Sequence, residues 1–211
     1  MAEQLGTYDW EPVVIFLSHQ AKFKVEVAAL KQELEYYGTK CFVAHEDIKP
    51  TQKWLKEIKR AIKDCDALVA LLTPDFRESQ WTDQEIGMAM GLKKLVISVR
   101  LGRDPYGFMA SAQALKGELA EPRPLAESIV RALLHNEGTA EYMQNAVIDS
   151  FYHSENFDTA IRTSNLLVEF DDISDEQYDL LVHAVEANDQ IYRATGVRRR
   201  MEEFLDRMEA N

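Results

Sequence analysis

Short apolar runs alternate with stretches of helical spacing over the first two thirds of the chain. Val13-Val14-Ile15-Phe16-Leu17 has no polar interruption, the pattern of a strand covered on both faces. Residues 22–36 follow with Val25, Val27, Ala28, Leu30 and Leu34 at helical spacing, and Gly38 is placed to end that helix. Cys41-Phe42-Val43-Ala44 reads as a second strand, and a loop from His45 to Thr51 contains Pro50. Trp54, Leu55, Ile58, Ala61 and Ile62 trace one face of a helix. Ala67-Leu68-Val69-Ala70-Leu71-Leu72 is a third strand stopped by Thr73-Pro74. A helix over Thr82–Leu92, a strand over Leu95–Val99, a short strand at Gln113-Ala114-Leu115 and a helix over Leu125–Leu134 complete the series. This alternation predicts an α/β fold: a parallel sheet in the flavodoxin-like order 2-1-3-4-5 with helices on both faces. In such a sheet ligands bind beyond the carboxyl ends of the strands, so the loops after Leu17, Ala44, Leu72 and Val99 are the places for chemistry.

The remainder reads as helix throughout. Ala140–Tyr152, Phe157–Phe170, Ser174–Ala187 and Val197–Met208 each carry apolar residues three and four apart, with Ser174 a candidate N-cap. Arg198-Arg199-Arg200 fits a solvated helix face. Charge changes at the same place as the pattern. Residues 1–138 hold 20 acidic and 18 basic side chains, whereas residues 139–211 hold 16 and 6. The expected organisation is an α/β domain over 10–136 and an all-helical C-terminal extension over 139–211.

Composition removes several function classes. The net charge of −12 argues against nucleic-acid backbones and anionic membranes as partners. Cys41 and Cys65 stand alone, with no CxxC and no His at finger spacing, so a disulfide scaffold and a zinc site are not expected and both thiols read as reduced and buried. No apolar run approaches the about 18 residues a bilayer span needs, and Met1-Ala2-Glu3-Gln4 does not begin a signal peptide. These features predict a cytoplasmic protein. No GxGxxG, GxxxxGK[ST] or GxSxG is present, and the first strand ends in Ser18-His19 without an acidic pair.

One constellation carries chemistry. Ser79-Gln80-Trp81-Thr82-Asp83-Gln84-Glu85 lies between the third strand and the next helix, with Trp81 and Glu85 four apart. The same residues also fit a plain structural role, because Thr82-x-x-Glu85 has the spacing of a capping box. Ser18-His19-Gln20 after the first strand and Glu46-Asp47-Ile48-Lys49-Pro50 after the second, with Trp54 beyond, share the same rim of the sheet. Taken singly they read as a turn and a solvated loop.

Together these segments resemble the TIR (Toll/interleukin-1 receptor) family. Phe16-Leu17-Ser18-His19 is similar to its first box, Phe42 to Pro50 to its second strand and BB loop, and Ser79-x-Trp81-x-x-x-Glu85 to the WxxxE segment of enzymatic members. Pro105-Tyr106-Gly107-Phe108 and Gln113-Ala114-Leu115 are similar to segments of bacterial TIR proteins of defence, the Thoeris-like type. The resemblance spans about residues 10–136 and departs in the BB loop, where Thr51 replaces the usual Gly after Pro. It implies cleavage of NAD at the nicotinamide–ribose bond, with NAD as substrate and no cofactor or metal. It gives Glu85 the catalytic role. Ser18 and His19 would bind nicotinamide or ribose, Trp54 and Trp81 would line the site, and Asp47 and Lys49 would shape its mouth. It also implies a homo-oligomer built through TIR contacts and a separate effector protein that reads the product. Two rival readings are a non-enzymatic TIR scaffold and a nucleoside deoxyribosyltransferase-like enzyme.

Overall fold

A computed structural model of the chain describes residues 10–43, 54–79 and 81–210, with the backbone alone at Trp54. Asp47 and Lys49 lie outside the described residues. Strand β1 (Val13–Ser18) leads through a 3-10 turn at Ala21–Phe23 into α1 (Lys24–Glu35), and Gly38, at φ 77°, turns the chain into β2 (Thr39–Phe42). Then come α2 (Trp54–Asp64), β3 (Ala67–Leu72), α3 (Thr82–Gly91), β4 (Leu95–Arg100), β5 (Leu115–Lys116) and α4 (Pro122–Leu134). The strands pair in the order β2-β1-β3-β4-β5, and every pair is parallel. The flavodoxin-like α/β architecture expected from the hydrophobic pattern is therefore present.

Burial explains why these segments became strands. All six residues of β3, at the centre of the sheet, are buried. Alternate side chains serve opposite faces. Phe16, Leu68, Ala70 and Leu72 join Ile58 and Ile62 of α2 and Ile86 and Ala89 of α3 in one core, and Phe16 stacks on its register partner Phe42 at 5.3 Å. The intervening Ile15, Leu17, Val69 and Leu71 turn to the other face, where α1 packs along α4. Cys41 and Cys65 are both buried, and neither is in a disulfide. Several boundaries differ from expectation. Strand β2 begins at Thr39 rather than Cys41 and ends at Phe42, because these four residues pair in register with Val13–Phe16. The helix expected over Phe157–Phe170 ends at Leu167. The last strand is the two-residue Leu115–Lys116, not 113–115, because it pairs only with the end of β4. Helix α4 begins three residues early at Pro122, since proline has no N–H to leave unpaired in a first turn.

Packing divides the chain into two compact units, Val13–Met143 and one built around residues 144–210. The division falls within α5 (Ala140–Tyr152). The second unit continues with α6 (Phe157–Leu167), α7 (Asp175–Ala187), α8 (Asp189–Arg193) and α9 (Val197–Glu209). Ser174 caps α7 in a full capping box with Gln177, and Asn156 caps α6 through the Thr159 N–H. The five-residue α8, absent from the sequence expectation, starts where Asn188 accepts from Gln190 N–H and donates to the carbonyls of Tyr152 and Ser154. Arg198 and Arg199 pair with Glu202 and Glu203 on the exposed face, but Arg200 departs from that face and donates to Ser164 Oγ at 2.8 Å. Among the described residues no helix is long and apolar enough to cross a membrane.

One glycine fixes the rim of the sheet. Leu101 and Arg103 both donate their N–H groups to the Leu72 carbonyl, which folds the chain after β4 over Pro74. Gly102 between them sits at φ 111°, and a Cβ there would lie 2.9 Å from Pro74 Cγ. We expect Gly102→Ala to cost roughly 1–3 kcal/mol. Thermal unfolding should show it as a drop on the order of 2–4 °C per kcal/mol.

Candidate functional site

Three strand ends supply the floor of the rim. Ser18 pairs in register with Ala70, and Ala70 with Ser98, so a row of small side chains crosses β1, β3 and β4 on the face that carries α3. Their size leaves room for the first turn of α3 to approach the sheet. Above that row the chain leaves β3 through Thr73-Pro74, makes a 3-10 turn at Phe76–Glu78 anchored by the buried Phe76, and enters α3.

The capping box read from Thr82-x-x-Glu85 does not form. Trp81 occupies the N-cap position without a side-chain cap, and its N–H donates to Ser79 Oγ at 3.3 Å. Thr82 is thereby the first residue inside the helix, and its hydroxyl donates backwards to the Phe76 carbonyl at 3.0 Å. That releases Glu85 from a capping role. Its Oε2 accepts a 2.6 Å hydrogen bond from Ser18 Oγ, linking residues 67 positions apart. Glu85 is 6% exposed, and among the described residues it is the one carboxylate that is buried. Burial pushes its pKa above the ordinary glutamate value, and the Ser18 hydroxyl pulls it back part of the way.

His19 is also buried, with Nδ1 3.1 Å from the Leu17 carbonyl. A carbonyl only accepts, so Nδ1 carries the proton in that bond. Trp81 is 36% exposed and occupies the N-cap of α3. Trp54 is the first residue of α2. The structure therefore brings Ser18 and Glu85 into contact, with His19 next along the chain and Trp81 one turn before Glu85.

Sequence reasoning missed a network that ties two rim loops together. Gln20 donates from Nε2 to the Asp75 carbonyl at 2.7 Å and accepts from Thr73 Oγ1 at 2.7 Å. Lys22 pairs with the Asp75 carboxylate, and this holds Asp75 below the usual carboxylate range. These partners are more than fifty residues apart, and no local pattern marks them. Among the described residues no cluster of His, Cys, Asp and Glu could hold a metal ion.

A model of the TIR domain matches residues 15–122, just over half of the chain. This chain belongs to the TIR domain family. A probable 2′ cyclic ADP-D-ribose synthase, BdTIR of Brachypodium distachyon, is 21% identical over 167 residues, which cover 73% of this chain and 75% of that protein. The crystal structure of the TIR domain of the Toll-related receptor TRR-2 of Hydra magnipapillata aligns with a TM-score of 0.47 at 22% identity. That alignment covers 58% of this chain and 98% of that one. Among the described residues of this TIR domain, the rim of the sheet holds one carboxylate withdrawn from water, and it is bonded to the Ser18 hydroxyl. A desolvated anion acts on a nearby developing positive charge far more strongly than an exposed one.

Burial of Glu85 also has a signature in stability. Its folded pKa lies above that of the unfolded chain, so between the two values the folded protein holds a proton that the unfolded chain has lost. This contribution is complete below the ordinary carboxylate range and is lost as pH rises through the folded value. Glu85→Gln keeps an oxygen to accept from Ser18 and removes the charge. The variant should melt above wild type near neutral pH, and the two melting curves should converge as pH falls toward the ordinary glutamate value. Calorimetry over that pH range checks it; a variant that melts lower at neutral pH would mean the charge stabilises the fold.

Proposed function

We propose that this TIR domain cleaves the nicotinamide–ribose bond of NAD, with Glu85 as the catalytic carboxylate. The observation that carries the reading is the burial of the Glu85 carboxylate at the carboxyl rim of a TIR sheet. The printed function of BdTIR, synthesis of a cyclic ADP-ribose, supports the same bond as the target. The chemistry needs one carboxylate. Nicotinamide is bound in NAD as a pyridinium, so it departs as a neutral molecule with the bonding electron pair and needs no proton from a general acid. An ordinary glycosidase requires a second carboxyl group for that proton. Positive charge develops on the ribose at the anomeric carbon and ring oxygen, and an anion beside it stabilises the transition state.

In this reading Ser18 orients the Glu85 carboxylate through its 2.6 Å bond, and both meet the ribose hydroxyls. His19, Trp81 and Trp54 border the nicotinamide end, and Asp47 and Lys49 belong to the mouth. Water attacking the anomeric carbon, with its proton lost to solvent, gives ADP-ribose. Attack by a group within the same molecule gives a cyclic product, and attack by a separate acceptor gives a conjugate. The likeness of Pro105 to Phe108 and Gln113 to Leu115 to bacterial defence proteins favours a messenger role of the Thoeris kind, in the cytoplasm. There the protein would assemble through TIR contacts and pass its product to a separate effector.

NAD should be incubated with wild type and with Glu85→Gln at high protein concentration, and products read by liquid chromatography and mass spectrometry. Wild type should release nicotinamide, and the variant should be slower by roughly 10²–10³-fold. The mass of the partner product separates hydrolysis, cyclisation and conjugation. Wild-type kcat/KM should fall at acidic pH as Glu85 of the free protein takes up its proton, at a pH above the ordinary glutamate range. Equal turnover by both proteins would return Glu85 to a structural role. No nicotinamide from wild type would favour the assembly-only reading, and turnover of free nucleosides instead of NAD would favour the deoxyribosyltransferase-like one.

A further inference from the structure

The first turn of α3 is tethered on two sides. Glu85 holds it to β1 through Ser18. Asp83, two residues earlier, holds it to the segment between β4 and β5, because the Tyr106 hydroxyl donates to Asp83 Oδ1. Two residues along an α-helix are about 200° apart around its axis. The two tethers therefore pull from nearly opposite sides and together fix the rotation of the turn. With either one missing, the turn could roll about the other.

Tyr106 is itself built in. Two guanidinium groups stand over its ring, Arg77 at 5.7 Å and Arg103 at 5.8 Å from the ring centre. Arg103 is anchored by its Nε–H to the Pro74 carbonyl at 2.7 Å, and Arg77 belongs to the 3-10 turn that precedes α3. The Tyr106 carbonyl accepts from Met109 N–H at 3.1 Å, and Met109 is buried in the same core as Ile86 of α3. Backbone, ring and hydroxyl are each fastened to a different part of the rim. Burial and the neighbouring Asp83 raise the phenol pKa, so the hydroxyl is a donor at neutral pH. A shallow groove of about 370 Å³ lies on this outer side of α3, bounded by Asp83, Tyr106 and Phe108, and Glu85 does not line it.

We infer that Tyr106 is a positioning residue for Glu85: acting through Asp83, it fixes the first turn of α3 so that the carboxylate stays aligned with Ser18. Its consequence for catalysis rests on the NAD-cleaving reading above; its consequence for the helix does not. Displacing a reacting group by about 1 Å can cost as much as 10²-fold in rate, so a tether of this kind matters without touching substrate.

The test uses the full chain and four variants: Tyr106→Phe, Asp83→Ala, the double variant and Asp83→Asn. Tyr106→Phe keeps the ring that meets the two arginines and deletes only the hydroxyl. Two quantities are measured: kcat and KM for nicotinamide release from NAD, and amide hydrogen exchange over residues 82–86. Tyr106→Phe and Asp83→Ala should each lower kcat about tenfold with KM within about twofold. The double variant should be no worse than either single one, because both remove the same contact. Asp83→Asn, whose side-chain oxygen still accepts from the phenol, should retain the activity that Asp83→Ala loses. Exchange over 82–86 should quicken in every variant that breaks the contact. Additive losses, a raised KM at unchanged kcat, or unchanged exchange would overturn the assignment. If wild type releases no nicotinamide, the NAD reading fails on its own, and the exchange measurement still decides whether Tyr106 holds the turn.

Discussion

A carboxylate kept out of water must be compensated from nearby, and much of the Val13–Met143 unit is arranged around that demand at Glu85. Withdrawing a carboxylate from solvent is costly unless donors or positive potential meet it. Ser18 supplies one donor at the end of β1. The open N–H groups of the first turn of α3 add a favourable field, since the helix dipole is positive at that end. Neither works unless β1 and α3 are fixed in register to a fraction of an ångström. That requirement falls on the core beneath them, where Phe16, Leu68, Ala70 and Leu72 lock β1 and β3 against Ile86 and Ala89 of α3. The rim loops complete the frame: Gln20 bridges Thr73 and Asp75, and Gly102 lets the chain after β4 close over Pro74.

The elements legible in the sequence were those whose signal is local. A parallel strand covered on both faces reads as an uninterrupted apolar run, and β1 and β3 were found for that reason. Ser174, an N-cap candidate in the sequence, does cap α7, in a capping box that Gln177 completes three residues later. Thr82 and Glu85 have the same spacing and no box, because a box depends on which residue takes the N-cap. That is decided here by the bond from Thr82 to the Phe76 carbonyl. Spacing showed that Glu85 was available; only packing shows where its carboxylate goes. β5 and α8 were misplaced or missed because two and five residues are too few to display a period. The contacts of Gln20 with Thr73 and of Tyr106 with Asp83 join residues 53 and 23 positions apart, and no local pattern encodes either.

The helical unit solves its own electrostatics differently. Its six basic side chains are all arginines, and each is engaged within the unit. Arg162, Arg193, Arg198 and Arg199 pair with acids one turn away, Arg200 bonds Ser164, and Arg207 donates to the Val168 and Phe170 carbonyls beyond the end of α6. The acidic surplus of residues 139–211 is left to face solvent without spare cations. A surface of that kind repels phosphate backbones.

The raised pKa of Glu85 sets a problem that the proposed chemistry resolves. A catalytic anion must be ionised, yet burial favours its neutral form. Ser18 corrects part of this in the free protein. A pyridinium seated beside the carboxylate would correct the rest, since an adjacent positive charge favours ionisation. The substrate would thus complete the electrostatics of its own site. Once the glycosidic bond breaks, nicotinamide is neutral and that compensation is gone. The buried carboxylate then holds the leaving group less strongly than it held the intact cation. On this reading a single desolvated charge favours binding of NAD, stabilises the transition state and weakens the hold on nicotinamide, and exposing Glu85 to water would reduce all three effects together.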